Sequence, residues 1–454
     1  MIKVKFGTDG IRGKANEKFL TPEVVTMIGM ACGSHFFNPN KSRQLAVVGK
    51  DTRLSGYLIE PALTSALVST GINVLLVGPM PTPAISMLIK SLRADFGIMI
   101  SASHNQFQDN GIKIFDSDGF KLTREAEKNI ERLIQDYPKG NNFAKDSKLG
   151  RAKRLDDAPG RYIEFAKNTF PKELRLSGIK IVVDAANGAA YHLASKIFWE
   201  LGAEVISIAD SPDGTNINKD CGSMHPEKAI KAVLENNADL GIVLDGDADR
   251  ILMIDELGKT VNGDAILACI AKGMKERGQL QNDTVVCTTM SNISFEEFCT
   301  SNEINVIRTD VGDKHVSCEL RNRNLSLGGE QSGHIIMTEH SATGDGIVSA
   351  LAMLSYFIES GEKRFSRFCH PFVPMPQKIH NVPTGKGRVK LIESHNILKA
   401  ISVVEKKLGA SGRVNVRPSG TEPIIRIMVE CAEIEVIEES IKNIEAAILA
   451  ELSQ

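Results

Sequence analysis

Two kinds of segment alternate along this chain, and that alternation limits its architecture more than any single motif does. Short β-branched runs, Leu45-Ala-Val-Val-Gly, Val74-Leu-Leu-Val-Gly and Phe96-Gly-Ile-Met-Ile, are separated by helix-length amphipathic stretches at 22–37 and 57–70. Strand, helix, strand is the βαβ unit, whose crossover makes neighbouring strands parallel, so a mostly parallel sheet is expected. The pattern recurs with strands at 179–184, at Glu204-Val-Ile-Ser-Ile and at Leu240-Gly-Ile-Val-Leu-Asp, and with helices near 191–201 and 226–236. A third block offers strands at Asp283-Thr-Val-Val-Cys, Asn305-Val-Ile-Arg and His334-Ile-Ile-Met before an apolar helix at 345–359. From about residue 372 the pattern changes to a charged helix at 387–398, strands at 411–416 and 424–432, and a closing helix from Ile437, an α+β unit. Polar or proline-rich stretches at 139–160, 255–259 and 371–376 separate the blocks. At roughly 150 residues or fewer per α/β unit, the expected divisions are 1–152, 153–256, 257–370 and 371–454.

Composition narrows the function. Lys and Arg total 54 against 56 Asp and Glu, a formal net charge of -2. A protein that binds nucleic acid through bulk phosphate neutralisation needs a clustered basic excess, so that class is excluded as the main function. No apolar run approaches the roughly 20 residues of a membrane span, and Met1-Ile-Lys-Val-Lys-Phe leads into a polar motif rather than a signal core, so a cytoplasmic protein with no membrane partner is expected. The eight cysteines, at 32, 221, 269, 287, 299, 318, 369 and 431, include no Cys-x-x-Cys pair. That spacing disfavours both a zinc site and a disulfide framework, and the thiols read as reduced, mostly core residues.

Four loops carry chemistry. Directly after the strand ending at Ile100, Ser-Ala-Ser103-His104-Asn105-Gln106 places a hydroxyl and polar support at a strand's carboxyl end, where open α/β sheets bind ligands, with Lys113 following the Asn110-Gly111 turn. Asp245-Gly-Asp247-Ala-Asp249-Arg250 sets three carboxylates at spacing two. They repel unless a cation gathers them, which points to an oxygen-preferring metal such as Mg²⁺, while Arg250 is suited to a phosphate. Gly328-Gly-Glu330-Gln-Ser332-Gly-His334 lets backbone approach a ligand and offers an acceptor and a donor to neighbouring hydroxyls, as sugar binding requires. Arg417-Pro-Ser419-Gly420-Thr421-Glu-Pro, with Arg426 beyond it, has the donors of an anion nest. Each loop alone also has a plain structural reading as a helix cap, a solvated acidic turn or a surface turn. Together they describe phosphoryl transfer on a phosphosugar.

With Phe6-Gly-Thr-Asp-Gly-Ile-Arg-Gly and Asp51-Thr-Arg-Leu-Ser-Gly, the four loops in this order resemble the α-D-phosphohexomutases over essentially the whole chain. The resemblance implies three similar mixed α/β domains and a C-terminal α+β domain around a central active-site cleft. It implies that Ser103, beside His104, is the phosphoserine, and that Asp245, Asp247, Asp249 and a phosphate oxygen on Ser103 hold Mg²⁺. Arg12 and Arg250 would steady the transferring group, and Lys113 and His334 would move protons. Glu330 and Ser332 would hold sugar hydroxyls, and Arg417, Ser419, Gly420, Thr421 and Arg426 the phosphate that is not reacting.

The activity it implies is interconversion of glucosamine 6-phosphate and glucosamine 1-phosphate through a 1,6-bisphosphate, with glucosamine or glucose 1,6-bisphosphate as activator, feeding UDP-N-acetylglucosamine and cell-wall precursors. The same machinery acting on glucose or mannose is the alternative. Gln331, where the mannose-acting branch usually carries Met, favours glucosamine. A phosphosugar substrate and a monomeric or homodimeric state are expected. Against an idle sugar-binding protein stand the intact Ser103 and the three aspartates. Gln106 occupies a position where proline is usual and removes one fixed φ from the serine loop.

Overall fold

The computed structural model describes residues 4–453 apart from 8, 42, 138, 140, 386–388 and 419–422. The chain divides into two compact units, 1–288 with 307–371, and 289–306 with 372–454. The first unit opens with six strands: β1 (Ile11–Lys14), β2 (Leu45–Lys50), β3 (Asn73–Pro79), β4 (Phe96–Ile100), β5 (Asp109–Phe115) and β6 (Ala152–Arg154), ordered β1-β5-β4-β2-β3-β6. From β4 through β2 and β3 to β6 the pairing is parallel, as the βαβ pattern requires, but β5 returns antiparallel to β4 and pairs antiparallel with β1. The sheet is therefore mixed.

Side-chain alternation decides what covers each face. Ala46, Val48, Phe96, Ile98 and Ile100 join one core with Val24, Ile28 and Cys32 of helix Pro22–Phe36 and with Ile59, Leu63 and Leu67 of helix Gly56–Ser69. Gly49 and Gly97 face the other way, where any Cβ would meet Ile85 or Ile89 of helix Thr82–Leu92. Helices start where a side chain caps them: Thr21 accepts from Val24 N with proline at the first helical position, and Asp345 accepts from Ile347 and Val348 N to open Gly346–Glu359.

The next sheet has β7 (Lys180–Asp184), β8 (Glu204–Ile208), β9 (Leu240–Leu244), β10 (Ile251–Asp255) and β11 (Thr260–Val261), ordered β11-β10-β9-β7-β8. Here too β8, β7 and β9 run parallel and β10 returns antiparallel to β9. The third block carries β12 (Thr284–Thr288), β13 (Asn305–Thr309), β14 (Leu327–Gly329) and β15 (Ile335–Met337), with β14 parallel to β12 and antiparallel to β15. The same corner thus occurs three times, closed by Ile100↔Ile112, Leu244↔Ile251 and Gly329↔Ile335. The serine, aspartate and glutamate loops are those three corners.

In the second unit β16 (Gln377–Pro383), β17 (Gly412–Pro418) and β18 (Ile424–Cys431) form an antiparallel sheet ordered β16-β18-β17. Ile425, Ile427 and Val429 pack on helices His395–Leu408 and Ile434–Leu452. The helix expected at 387–398 begins instead at His395, because the Ser394 hydroxyl caps Ile397 N at 3.3 Å and residues 389–393 form a 3₁₀ turn; Gly387 lies outside the described residues. Segment 289–306 belongs to this unit because Asn292 Nδ2 donates to Met375 O at 2.9 Å and Ile293 N to Glu430 Oε1 at 3.1 Å.

Gly33 lets two helices of the first core meet, since a Cβ there would lie 2.0 Å from Thr70 Oγ1. Gly33→Val should lower stability by about 1–3 kcal/mol through overpacking. A lower urea midpoint with an unchanged slope would be the expected result; an unchanged midpoint would mean that the helices part freely.

Candidate active site

The serine loop is held in a conformation that its own sequence does not favour. Ser103 is fully buried with φ of 52°, a left-handed backbone at a residue with a Cβ. Arg53, also fully buried, supplies the restraint. Its Nε donates to Asp51 Oδ2 at 2.8 Å, one terminal nitrogen to Gln106 O and to Asp109 O at 3.0 Å, and the other to Ser103 O at 2.9 Å and Asn105 O at 2.7 Å. All five guanidinium N–H groups are thus spent, four of them on carbonyls of the serine loop and its exit. Asn218 Nδ2 donates at 2.9 Å to the carbonyls of Ser103 and of Asn105. Gln106 costs the loop little rigidity, because this clamp does what a proline would have done.

The aspartate loop is held from four directions. Carbonyls of Asp245, Gly246, Asp247 and Ala248 accept from Ala248, Ala189, Thr82 and Gly346 N at 3.0, 2.8, 2.9 and 3.0 Å. Gly246 is obligatory in packing terms, since a Cβ would stand 2.6 Å from Ser103 O and 2.7 Å from Asn218 Nδ2. Nucleophile loop and carboxylate loop therefore touch through backbone. Ser103 Oγ donates to Asp245 Oδ2 at 2.5 Å.

Asp245, Asp247 and Asp249 are buried, and one oxygen from each lies within 4.8 Å of the others. Burial, with the Asp249 and Asp247 carboxylates beside it, pushes Asp245 up to about 8. Lys113 on β5 counters the cluster: its fully buried Nζ is 2.8 Å from Asp247 Oδ2, 3.0 Å from Asp249 Oδ2 and 3.0 Å from Asp9 Oδ2. Burial would lower its pKa, but these three carboxylates outweigh that and hold the ammonium well above its ordinary value. Asp249, which burial would raise, is held well below the usual carboxylate range by Lys113 and His334. Asp9 is held there likewise by Lys113, Lys121 and Arg12.

Two arginines complete the charge pattern. Arg12 pairs with Asp9, and Arg250 approaches His104 Nδ1 at 3.0 Å. Burial and the Arg250 charge push His104 down to about 3, so its ring is neutral and accepts from Arg250. Four buried atoms here have no hydrogen-bond partner: Arg12 Nε, Arg250 Nε, Asp247 Oδ1 and Asp249 Oδ1. Unspent donors and unspent acceptors in one pocket are what an anion and a cation bound together would satisfy. Three carboxylates form an all-oxygen set suited to Mg²⁺, so the residues present fit that ion.

From the glutamate loop, His334 is buried with Nδ1 3.6 Å from Asp249 Oδ1. Asp249 and Asp313 raise its affinity for a second proton against the effect of burial. Gly344 N–H, however, donates to Nε2 at 3.0 Å and occupies the lone pair that would take that proton. Glu330 is buried and accepts from Gly312 N at 3.0 Å, whereas Ser332 is exposed.

In the second unit Arg417 and Arg426 are direct cross-strand partners on β17 and β18 and line a cavity of about 230 Å³ with Asn381 and Asn415. Like charges directly opposite on a ladder repel, and an anion relieves them. Ser419, Gly420 and Thr421 lie outside the described residues. Sequence reasoning passed over Asp9, Arg53, Asn218 and Asp313. The signal for Arg53 was present in Asp51-Thr-Arg, an acid two residues from an arginine after a buried strand, but the carbonyls it binds are 50 to 56 residues away.

Comparison with known proteins gives the family. Signatures of phosphoglucomutase/phosphomannomutase α/β/α domains I, II and III match residues 3–140, 160–258 and 262–374, and that of the C-terminal domain matches 380–447. The chain therefore belongs to the phosphoglucomutase/phosphomannomutase family, whose enzymes are isomerases. It is 50% identical over 445 residues to a phosphoglucosamine mutase of Paramagnetospirillum magneticum, covering 98% of each chain. A phosphoglucosamine mutase of Parvibaculum lavamentivorans is 48% identical over 99% of each. Among solved structures, a family protein of Burkholderia thailandensis shares the fold at TM-score 0.82 and 22% identity, covering 99% of this chain and 97% of that one. An N-acetylphosphoglucosamine mutase of Aspergillus fumigatus, in complex with GlcNAc-6P and magnesium, does so at 0.68 and 17%, covering 98% and 96%.

Arg53→Lys cannot reproduce five planar donors. Turnover should fall at least tenfold with a smaller change in KM, since the loop rather than the substrate contact is loosened; wild-type kcat in this variant would remove Arg53 from the positioning of Ser103. Lys113→Met leaves the carboxylates uncompensated, a loss of about 3–5 kcal/mol in metal-free protein. Mg²⁺ should then raise the melting temperature more than it does in wild type. Equal Mg²⁺ responses would show that ion and ammonium do not compete for the same carboxylates.

Proposed function

We propose that this chain interconverts glucosamine 6-phosphate and glucosamine 1-phosphate through a phosphoserine at Ser103 and a sugar 1,6-bisphosphate. One observation carries the reading: a serine hydroxyl 2.5 Å from a carboxylate shares a pocket with unpartnered carboxylate oxygens and unpartnered guanidinium N–H groups. A phosphoryl group on Ser103 supplies the anion, and Asp245, Asp247 and Asp249 with one of its oxygens would hold Mg²⁺. When bound, that ion offsets charge on the transferring group, the main requirement of a loose phosphoryl-transfer transition state.

The chain's own residues do the rest. Arg12 and Arg250 bind the equatorial oxygens, with neutral His104 aiming Arg250. The sugar's free hydroxyl attacks phosphorus, its O–P bond forms as the bond to Ser103 Oγ breaks, and its proton ends on the departing Ser103 Oγ; the bisphosphate then turns and returns its other phosphoryl to Ser103, the serine proton ending on the sugar oxygen set free. Lys113 enters as the ammonium and is suited to protonate a leaving oxygen. We assign His334 to hold Asp249 through its Nδ1–H. Glu330 and Ser332 are assigned to sugar hydroxyls, and Arg417 and Arg426, with Ser419, Gly420 and Thr421, to the phosphate that is not reacting. Glucosamine or glucose 1,6-bisphosphate would prime Ser103. The choice of glucosamine is supported by the names of relatives about half identical over nearly the full length.

Purified protein with Mg²⁺ and trace bisphosphate should convert glucosamine 6-phosphate with a higher kcat/KM than glucose or mannose 6-phosphate. Ser103→Ala should lose nearly all turnover and the phosphate adduct seen by intact mass. A preference for glucose or mannose would overturn the substrate; near-normal turnover by the alanine variant would overturn the phosphoserine.

A further inference from the structure

Outside the active site, a second set of ligating side chains converges at the end of β10. Asp255, Cys369 and His370 each present one atom, and these atoms all lie within 4.8 Å of one another. Asp255 and Cys369 are buried, and His370 is 20% exposed on its side chain. Two stiff frames bring them together. On one side, Asp255 Oδ1 accepts from Leu257 N at 3.0 Å and Lys259 N at 2.8 Å, which leaves Oδ2 facing His370 Nε2 at 2.8 Å. On the other, Cys369 ends the short helix Phe365–Phe368, its N–H on Phe365 O at 2.9 Å. Glu256 fastens the frames to each other by accepting from Ser366 N at 2.9 Å and Ser366 Oγ at 2.6 Å.

We propose that Asp255, Cys369 and His370 form a binding site for a borderline transition-metal ion, with Zn²⁺ the best fit, separate from the oxygen-only site at Asp245, Asp247 and Asp249. One sulfur, one imidazole nitrogen and one carboxylate oxygen are a mixed donor set that Mg²⁺ does not use and Zn²⁺ does. Ligand atoms of a tetrahedral Zn²⁺ lie about 3.3–3.7 Å apart, given bonds of about 2.0–2.3 Å. The Asp255–His370 contact at 2.8 Å would open by about half an ångström to admit the ion, and the Cys369 sulfur already lies within 4.8 Å of both partners. Binding releases the Cys369 thiol proton to solvent and leaves the His370 ring proton on Nδ1. Thiolate, carboxylate and neutral imidazole then balance the 2+ ion to zero net charge, as a buried site requires. The partly exposed His370 side would admit water as the fourth ligand. The ion would tie the β10–β11 turn to the chain just before Pro371.

The full-length chain, freed of metal by a chelator, should be titrated with Co²⁺ in a Cys318→Ser background that removes the exposed thiol. One equivalent should give a thiolate-to-cobalt charge-transfer band, displaced by Zn²⁺; the aspartate site has no sulfur and cannot produce it. His370→Gln should weaken binding at least tenfold while leaving Mg²⁺-dependent turnover unchanged, and Cys369→Ser should abolish the band. Zn²⁺ should raise the melting temperature of the Cys318→Ser protein but not of the His370→Gln variant made in it. No band at one equivalent, or a band that survives in Cys369→Ser, would overturn the site.

Discussion

The site depends on one electrostatic constraint, the burial of Asp245, Asp247 and Asp249 together, with the partly exposed Asp9 beside them. Buried carboxylates this close survive only because cations stand among them, and the fold supplies Lys113, Lys121, Arg12 and Arg250 from four different loops or strands. Each cation is thereby committed. Lys113 is too strongly held as an ammonium to begin as a base, and His104 is too surrounded by positive charge to become an imidazolium. The family resemblance suggested proton transfer by Lys113 and His334; the neighbouring carboxylates keep Lys113 an ammonium, and the Gly344 N–H on His334 Nε2 occupies the lone pair that a second proton would need.

That charge is assembled by repetition. Three times the chain runs up a buried strand, turns, and returns antiparallel, and the turns carry in order the Ser103 hydroxyl, the three aspartates and Glu330. The return strand matters as much as the first, because it brings Lys113 beneath the serine loop on β5 and Arg250 to the start of β10.

Much of this was legible beforehand. The strands at 45–49, 96–100 and 240–244 and the serine, aspartate and glutamate loops stand where hydrophobic runs and glycine-rich punctuation put them, since burial of a strand on both faces leaves an unmistakable apolar run. The return strand at 335–337 was read from its apolar run, whereas β5 and β10 were missed for the opposite reason. β5 reads Asp-Asn-Gly-Ile-Lys-Ile-Phe, and its lysine is buried by ion pairing with residues 134 and 136 positions away. Arg53 was missed because its partners are backbone carbonyls, which have no sequence identity at all. Cysteine spacing is silent on the cluster at Asp255, Cys369 and His370 for a similar reason: spacing finds side chains that are neighbours along the chain, and Asp255 meets Cys369 and His370 only across the fold.

The contact between Gly246 and the Ser103 carbonyl leaves no room for even a methyl group. Nucleophile and carboxylates therefore share one rigid frame and cannot be aimed separately. An enzyme built this way has a stationary tool and no means of carrying it from one end of a sugar to the other. Under the proposed mechanism, whatever rotation the reaction needs is left to the ligand, a doubly phosphorylated hexose that must turn over while still being held.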